Sequence, residues 1–436
     1  MLNIIRFFIL VCLIMGMEGG NAAGQTGSQD ADDWDQLRGR RNIFAVRDAL
    51  DTNLPVSDAV RALGQAYIGA FSHDFQTAHQ ALGYASNYAQ ARRDSAFAAE
   101  VDQVAQTLMR QQGRYQALAN HLSRGPESGT VQHQMVTYKA GLYTSAYIGA
   151  DEFTLENISP DDARIVVGAN FNGTPGTLLF DTGAETSLLS DRYAEDYSAQ
   201  PSGVYFNMLT VDGPRYTQLA SLDNLEIGAA KFGGVPLGVQ TQKEGVIGFF
   251  LNEGATGILG FPLISRLGEM EFQVEGARVA RVVMRRQEGK RYSKARPNMM
   301  IRDDKPYIRV TVDGAVYSCI FDTGAPRSLF SREIIARHSG ALGLEMLSRR
   351  QARAAGLHTG KGAGVRYVKS VPARAGYHEL DLQNVQTLEA GGPASDFCLI
   401  GLDAVISSGG ARMDMQALQI YFGENKYLTS TAFNLR

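Results

Sequence analysis

From Trp34 to about Arg124 apolar residues recur every three or four positions, and glycine is sparse. Val56, Val60, Leu63 and Tyr67 form one such stripe; Ala78, Leu82 and Ala85 form a second; Val101, Val104, Ala105 and Leu108 form a third. Side chains at that spacing share one face of a helix, so residues 34–124 are expected to fold as an α-helical domain. The pattern breaks at Arg124-Gly125-Pro126-Glu127-Ser128-Gly129, and residues 124–135 read as a linker. Beyond them, short runs alternate apolar and polar residues between glycine-bearing turns, the period of half-buried strands. The chain therefore divides into a helical part and a longer, mainly β part.

The first residues follow neither pattern. Arg6 precedes the apolar run Phe7–Met17, and Gly19-Gly20-Asn21-Ala22-Ala23 supplies small residues after it. The run is shorter than the roughly 20 residues a membrane-spanning helix needs. Charge, apolar stretch and small residues in that order read as an export signal over residues 1–23, cut near Ala22 or Ala23. An exported, periplasmic or secreted protein without stable membrane insertion is expected. Cys12 would leave with the signal, so only Cys319 and Cys398 would remain, too few for a disulfide scaffold. They read as buried free thiols, with a disulfide between two strands as the alternative in an oxidising compartment. A formal charge of −3 without a basic block argues against nucleic acid as a partner.

The β part contains a duplication. Phe180-Asp181-Thr182-Gly183-Ala184 returns as Phe321-Asp322-Thr323-Gly324-Ala325, an offset of 322 − 181 = 141. At the same offset Asn172-Gly173 answers Asp313-Gly314, two hairpin-turn dipeptides. Val167, Ala169 and Phe171 answer Ile308, Val310 and Val312; Ser187, Leu188 and Ser190 answer Ser328, Leu329 and Ser331. Ile258-Leu259-Gly260 answers Leu399-Ile400-Gly401, so each Asp lies 79 residues before its glycine (260 − 181 and 401 − 322). One Asp-Thr-Gly is a chance string; two, each with its own downstream partner at equal spacing, are not.

Each copy resembles a retropepsin-like lobe, the unit of retroviral and bacterial aspartic proteases. The resemblance covers about residues 160–425. It implies two pseudo-symmetric β-barrel lobes, over residues 136–285 and 300–425, joined by roughly Arg285–Arg302. It also implies Asp181 and Asp322 as a catalytic pair, with Thr182, Gly183, Ala184, Thr323, Gly324 and Ala325 supporting the loops. The chemistry fits. Hydrolysis without a covalent intermediate needs one carboxylate to activate water and one carboxylic acid to protonate the carbonyl, and two close Asp side chains share a proton and divide those roles. Ala184 and Ala325 stand where pepsin-like relatives often have a hydroxyl donor, so the pair is expected to work at mildly acidic to near-neutral pH.

In the family the next position binds the substrate backbone, which makes Glu185 a substrate-binding candidate; Pro326 departs from the pattern, so an asymmetric groove is expected. Flaps are expected between each Asp and its glycine: around Gly213 in Val211-Asp212-Gly213-Pro214-Arg215-Tyr216, and around Gly360 in the Gly-rich stretch Gly356–Gly364. Val246–Leu251 reads as core, with a side-chain pocket as the alternative. No zinc-binding His spacing and no Gly-x-Ser-x-Gly elbow occurs, so neither a metal nor another cofactor is expected. The leading expectation is an exported aspartic endopeptidase acting on peptides or proteins. Two others stand beside it: a catalytically silent peptide-binding scaffold on the same fold, and a protease whose lobes pair between molecules. In the helical region, Leu63-Gly64-Gln65-Ala66-Tyr67 with Phe75 and Ala78 resembles a worn tetratricopeptide repeat, a partner-recruiting module; a plain bundle packed on the rest is the other reading.

Overall fold

The computed structural model describes residues 32–34, 42–52, 55–142, 145–159, 164–210, 213–240, 254–286, 296–347, 365–388 and 396–423. The expected export signal, Gly360, Val246–Leu251 and residues 287–295 of the expected connection lie outside these residues. Helices come first: α1 (Ile43–Asp51), α2 (Asp58–Phe71), α3 (Phe75–Arg92), α4 (Ser95–Gln111), α5 (Tyr115–Leu122) and α6 (Val131–Gly141). Side chains of Asn42, Ser57, Asp74 and Asp94 cap α1 to α4 by accepting from N–H groups in their first turns. Trp34, Leu63, Phe71 and Phe97 are buried in the core of the bundle. The helical part does not end at Arg124. Thr130 accepts from the His133 N–H and starts α6 inside the stretch expected to be a linker, so the helices reach Gly141.

Strands follow in two sets. The first holds β1 (Ser145–Ile148), β2 (Glu152–Glu156), β3 (Val166–Phe171), β4 (Thr174–Asp181), β5 (Leu188–Ser190), β6 (Gln200–Thr210), β7 (Gly213–Ile227), β8 (Ala230–Gln240), β9 (Gly257–Gly260), β10 (Glu269–Glu275) and β11 (Arg278–Arg285). Short helices α7 (Asp191–Ala194) and α8 (Phe261–Ile264) interrupt them. The second set holds β12 (Met299–Arg302), β13 (Lys305–Val312), β14 (Ala315–Phe321), β15 (Leu329–Phe330), α9 (Arg332–Leu342), β16 (Val365–Ala375), β17 (His378–Leu388), β18 (Cys398–Ile400), α10 (Leu402–Ser407), β19 (Gly410–Asp414) and β20 (Gln419–Phe422).

Each set closes a six-stranded barrel. In the first the order is β3-β4-β9-β5-β8-β7, closed by β7 pairing back to β3. In the second it is β13-β14-β18-β15-β17-β16, closed by β16 on β13. Closure leaves few free edges. Asn172-Gly173 and Asp313-Gly314 turn the β3–β4 and β13–β14 hairpins with positive φ at all four residues, the conformation those dipeptides favour. A third sheet, β2-β11-β10-β19-β20, draws strands from both lobes and joins them where β10 pairs with β19. Phe272 on β10 packs edge-on against both Phe180 and Phe321, so one ring supports both Asp-bearing strands from beneath. Two buried asparagines repeat the offset, 298 − 157 = 141. Asn157 bridges Arg164, Val166 and Val279, and Asn298 holds both the N–H and the C=O of Ile420.

The N-terminal end of the bundle docks on the second barrel. Asn42 donates to the Val316 carbonyl and accepts from the Ser318 hydroxyl at 2.7 Å, Arg47 reaches the Pro297 carbonyl, and Asp48 pairs with Arg309 at 2.6 Å. Met300 of β12 is buried within the helical core.

Candidate active site

Asp181 ends β4 and Asp322 follows β14, and both are fully buried. Behind each loop a neighbouring strand runs parallel: Asp181 lies opposite Gly260, and Phe321 opposite Ile400. Gly260 and Gly401 have no room for a side chain. A Cβ on Gly260 would stand 2.8 Å from the Thr186 carbonyl oxygen, and one on Gly401 2.7 Å from that of Ala325. Their N–H groups donate to the hydroxyls of Ser187 and Ser328, at 3.0 and 3.1 Å. The paired serines noted in the sequence therefore tie each Asp loop to the strand below it.

The two loops interlock. Thr182 N–H donates to Thr323 Oγ1 at 3.1 Å and Thr323 N–H to Thr182 Oγ1 at 3.0 Å. Each hydroxyl in turn donates 2.7 Å across the lobe boundary, Thr182 to the Phe321 carbonyl and Thr323 to that of Phe180. These four buried bonds bring the carboxyls together. Oδ1 of Asp181 accepts from the Gly183 and Ala184 N–H groups at 2.8 and 3.0 Å; Oδ1 of Asp322 accepts from those of Gly324 and Ala325 at 2.8 and 3.1 Å. Each glycine also packs on the opposite carboxyl. A Cβ on Gly183 would lie 2.6 Å from Asp322 Oδ2, and one on Gly324 2.5 Å from Asp181 Oδ2. Apart from a proton shared between the two carboxyls, both Oδ2 atoms are buried without a hydrogen-bond partner.

Charge is costly here. Burial, then the charge of Asp322 and the hydrogen bond with it, push the Asp181 carboxyl well above the ordinary range. Burial also pushes Asp322 up, to about 6, although its bond with Asp181 and the Gly324 and Ala325 N–H groups favour its anion. The two titrate as a pair that keeps one proton into the neutral range.

Glu185, the substrate-binding candidate, lies at the boundary between the lobes. Its carboxylate is nearly buried and pairs with Lys305 of the second lobe at 3.0 Å. Burial raises the Glu185 pKa against the pull of Lys305, and Asp304 and Asp303 add to the rise. Lys305 has no obvious sequence signal, but a buried cation wants an opposite charge. Pro326 occupies the matching place in lobe two, and Asp403 does different work there. Its carboxylate accepts from Ser328 N–H at 2.9 Å and from Ser328 Oγ at 2.8 Å. Pro262 stands at that offset in lobe one (403 − 141), so Asp403 could not be found from the repeat. Gly213 opens β7 opposite Thr210, beside the tip of the β6–β7 hairpin. Cys319 and Cys398 are not free thiols. They lie on the paired strands β14 and β18, their Cα atoms are 4.6 Å apart, and they form a disulfide.

Residues 167–263 match the sequence profile of the aspartyl protease family. No curated protein matches the chain. Among solved structures, the aspartic proteinase from Irpex lacteus is similar at 11% identity with a TM-score of 0.41, over 64% of this chain and 99% of that one.

Proposed function

We propose that this chain, whose paired β lobes are of the retropepsin-like aspartyl protease type, is an aspartic endopeptidase with Asp181 and Asp322 as its dyad. The observation that supports this best is the pair of buried carboxyls whose inner oxygens are held by backbone N–H groups while both outer oxygens are left for a reactant. With one proton on the pair, the ionised carboxylate takes a proton from water as the water oxygen bonds to the peptide carbonyl carbon. The protonated partner gives its proton to the carbonyl oxygen. The tetrahedral gem-diol then breaks its C–N bond as the carboxyl that took the water proton passes it to the nitrogen; one gem-diol hydroxyl gives its proton to the other carboxylate, so the dyad again holds one proton. Export to an oxidising compartment is part of the proposal; it agrees with the apolar run Phe7–Met17 and with the Cys319–Cys398 disulfide.

The test is cleavage of a peptide library by purified protein, with and without a statine-type transition-state mimic. Asp181→Ala and Asp322→Ala should each lower turnover by at least about a hundredfold, since general acid and base roles each contribute factors of about 10² to 10⁴. Near wild-type turnover in either variant would remove the dyad. Hydrolysis absent in the wild type, with the mimic still bound, would leave a silent peptide-binding protein.

A further inference from the structure

Helix α6 keeps Val136 in a cluster with Leu118, Ala119 and Leu122 of α5 and packs its other side on the first lobe. Met135 and Tyr138, one turn apart, lie against the apolar cluster of Ala184, Leu188, Phe206, Leu219 and Ile258. Ala184 directly follows the Asp181 triplet, and its N–H binds the Asp181 carboxylate. Phe206 lies on β6, the first strand of the hairpin expected to act as a flap. Alternation along β6 decides which face is involved. Phe206 is buried and Val204 joins the same cluster, whereas Tyr205 between them is 41% exposed and stacks on exposed Tyr216. Met135 and Tyr138 thus meet the inner face of the hairpin, the face turned toward the Asp181 loop. Lys139 follows, its ammonium over the Tyr115 ring at 5.6 Å, on the side where Glu185 and Asp304 place negative charge. Meanwhile Asp181 and Asp322 have no exposed surface.

We infer that α6 is a tethered occupant of the substrate cleft. Its Met135 and Tyr138 side chains fill the lobe-one subsite that a bulky apolar residue of a peptide substrate would take. A peptide passing between hairpin and Asp loop needs the same apolar surface, so the two compete, and cleavage requires α6 to withdraw. The place of α6 stands on contacts alone; only the identity of its competitor rests on the peptidase reading. Because α6 is covalently attached, it competes at high effective concentration, and weak contacts suffice to keep it seated.

Two measurements on the full chain test this. The double variant Met135→Ala/Tyr138→Ala should raise kcat/KM on short peptides several-fold, mostly through KM, and most for peptides with Met, Leu, Phe or Tyr beside the scissile bond. In wild-type protein, binding of the statine-type mimic should speed amide hydrogen exchange in Val131–Gly141 at least several-fold. If no form hydrolyses peptide yet the mimic still speeds that exchange, the peptidase reading fails and the occupancy stands. Slower exchange in α6 with the mimic bound, a lower or unchanged kcat/KM in the variant, or a mimic that fails to bind even the variant would overturn the inference and make α6 a fixed wall of the site.

Discussion

Two buried carboxyls on interlocked loops are a stability liability at neutral pH. A carboxyl whose folded pKa is raised contributes stability that is complete below its unfolded value, about 3.9, and is lost as pH rises through the folded value. For Asp322 that window runs from near 4 to about 6; the Asp181 carboxyl, also raised by burial and by Asp322, acts in the same direction. Asp322→Asn keeps the acceptor oxygen for the Gly324 N–H and removes the charge. It should therefore raise unfolding stability at pH 7 by up to about 3 kcal/mol, from roughly two pKa units at 1.36 kcal/mol each. The gain should shrink to nothing near pH 4. Urea titrations at the two pH values measure it, and an equal gain at both would mean that the pair is not what strains the fold. The same titration sets the pH–rate profile. Activity needs one proton on the pair, and because burial raises both carboxyls, the acid limb should lie above the ordinary carboxylate range and the alkaline limb at higher pH still. An optimum confined to strongly acidic solution would contradict both the pKa directions and the absence of a hydroxyl at Ala184 and Ala325.

Elements built on the repeat could be read from the sequence, and those outside it mostly could not. Every strand of the Asp loops was announced twice, and the glycine at equal spacing marked the crossing strand. Asn157 and Asn298 share the same offset, but a single asparagine has no period and gives no signal by itself. Helix α6 is hidden by Gly125-Pro126 and Gly129 in front of it, and because its apolar residues are split between two neighbours, Val136 on α5 and Met135 with Tyr138 on the first lobe. The disulfide has no signal in the repeat for a related reason: lobe one has Leu178 and Gly257 at the same register, so there is no second pair to compare. It ties β14, which leads into Asp322, to β18, the crossing strand. By loop closure over a separation of 79 residues, Cys319→Ser/Cys398→Ser should cost up to about 4.5 kcal/mol. Melting of oxidised, reduced and doubly substituted protein checks this. A double variant that melts with the oxidised wild type would show that the paired strands hold their register without the bond.

The whole molecule is organised by the sheet that both lobes share. Strand β10 of the first lobe pairs with β19 of the second from Met270–Met413 to Gln273–Gly410, and Phe272 on β10 touches both Phe180 and Phe321. Lobe pairing is thus sealed twice, by the threonine exchange at the loops and by backbone hydrogen bonds beneath them. A short covalent connection keeps the partners at high effective concentration, so no association step opposes assembly. The lobes have also diverged in ways a symmetric pair could not use. Glu185 binds Lys305 across the boundary while Pro326 fills the matching place, and Asp403 braces one loop where Pro262 stands behind the other. One chain should therefore hold a complete site. Specific activity should stay constant on dilution, and the active species should sediment as a monomer. An equimolar mixture of the Asp181→Ala and Asp322→Ala variants should remain inactive, because forming a wild-type dyad between chains would require breaking the β10–β19 pairing in both. Recovery of activity approaching a quarter of the wild-type value, as random exchange of lobes would give, would show that the shared sheet opens and that the lobes pair between molecules.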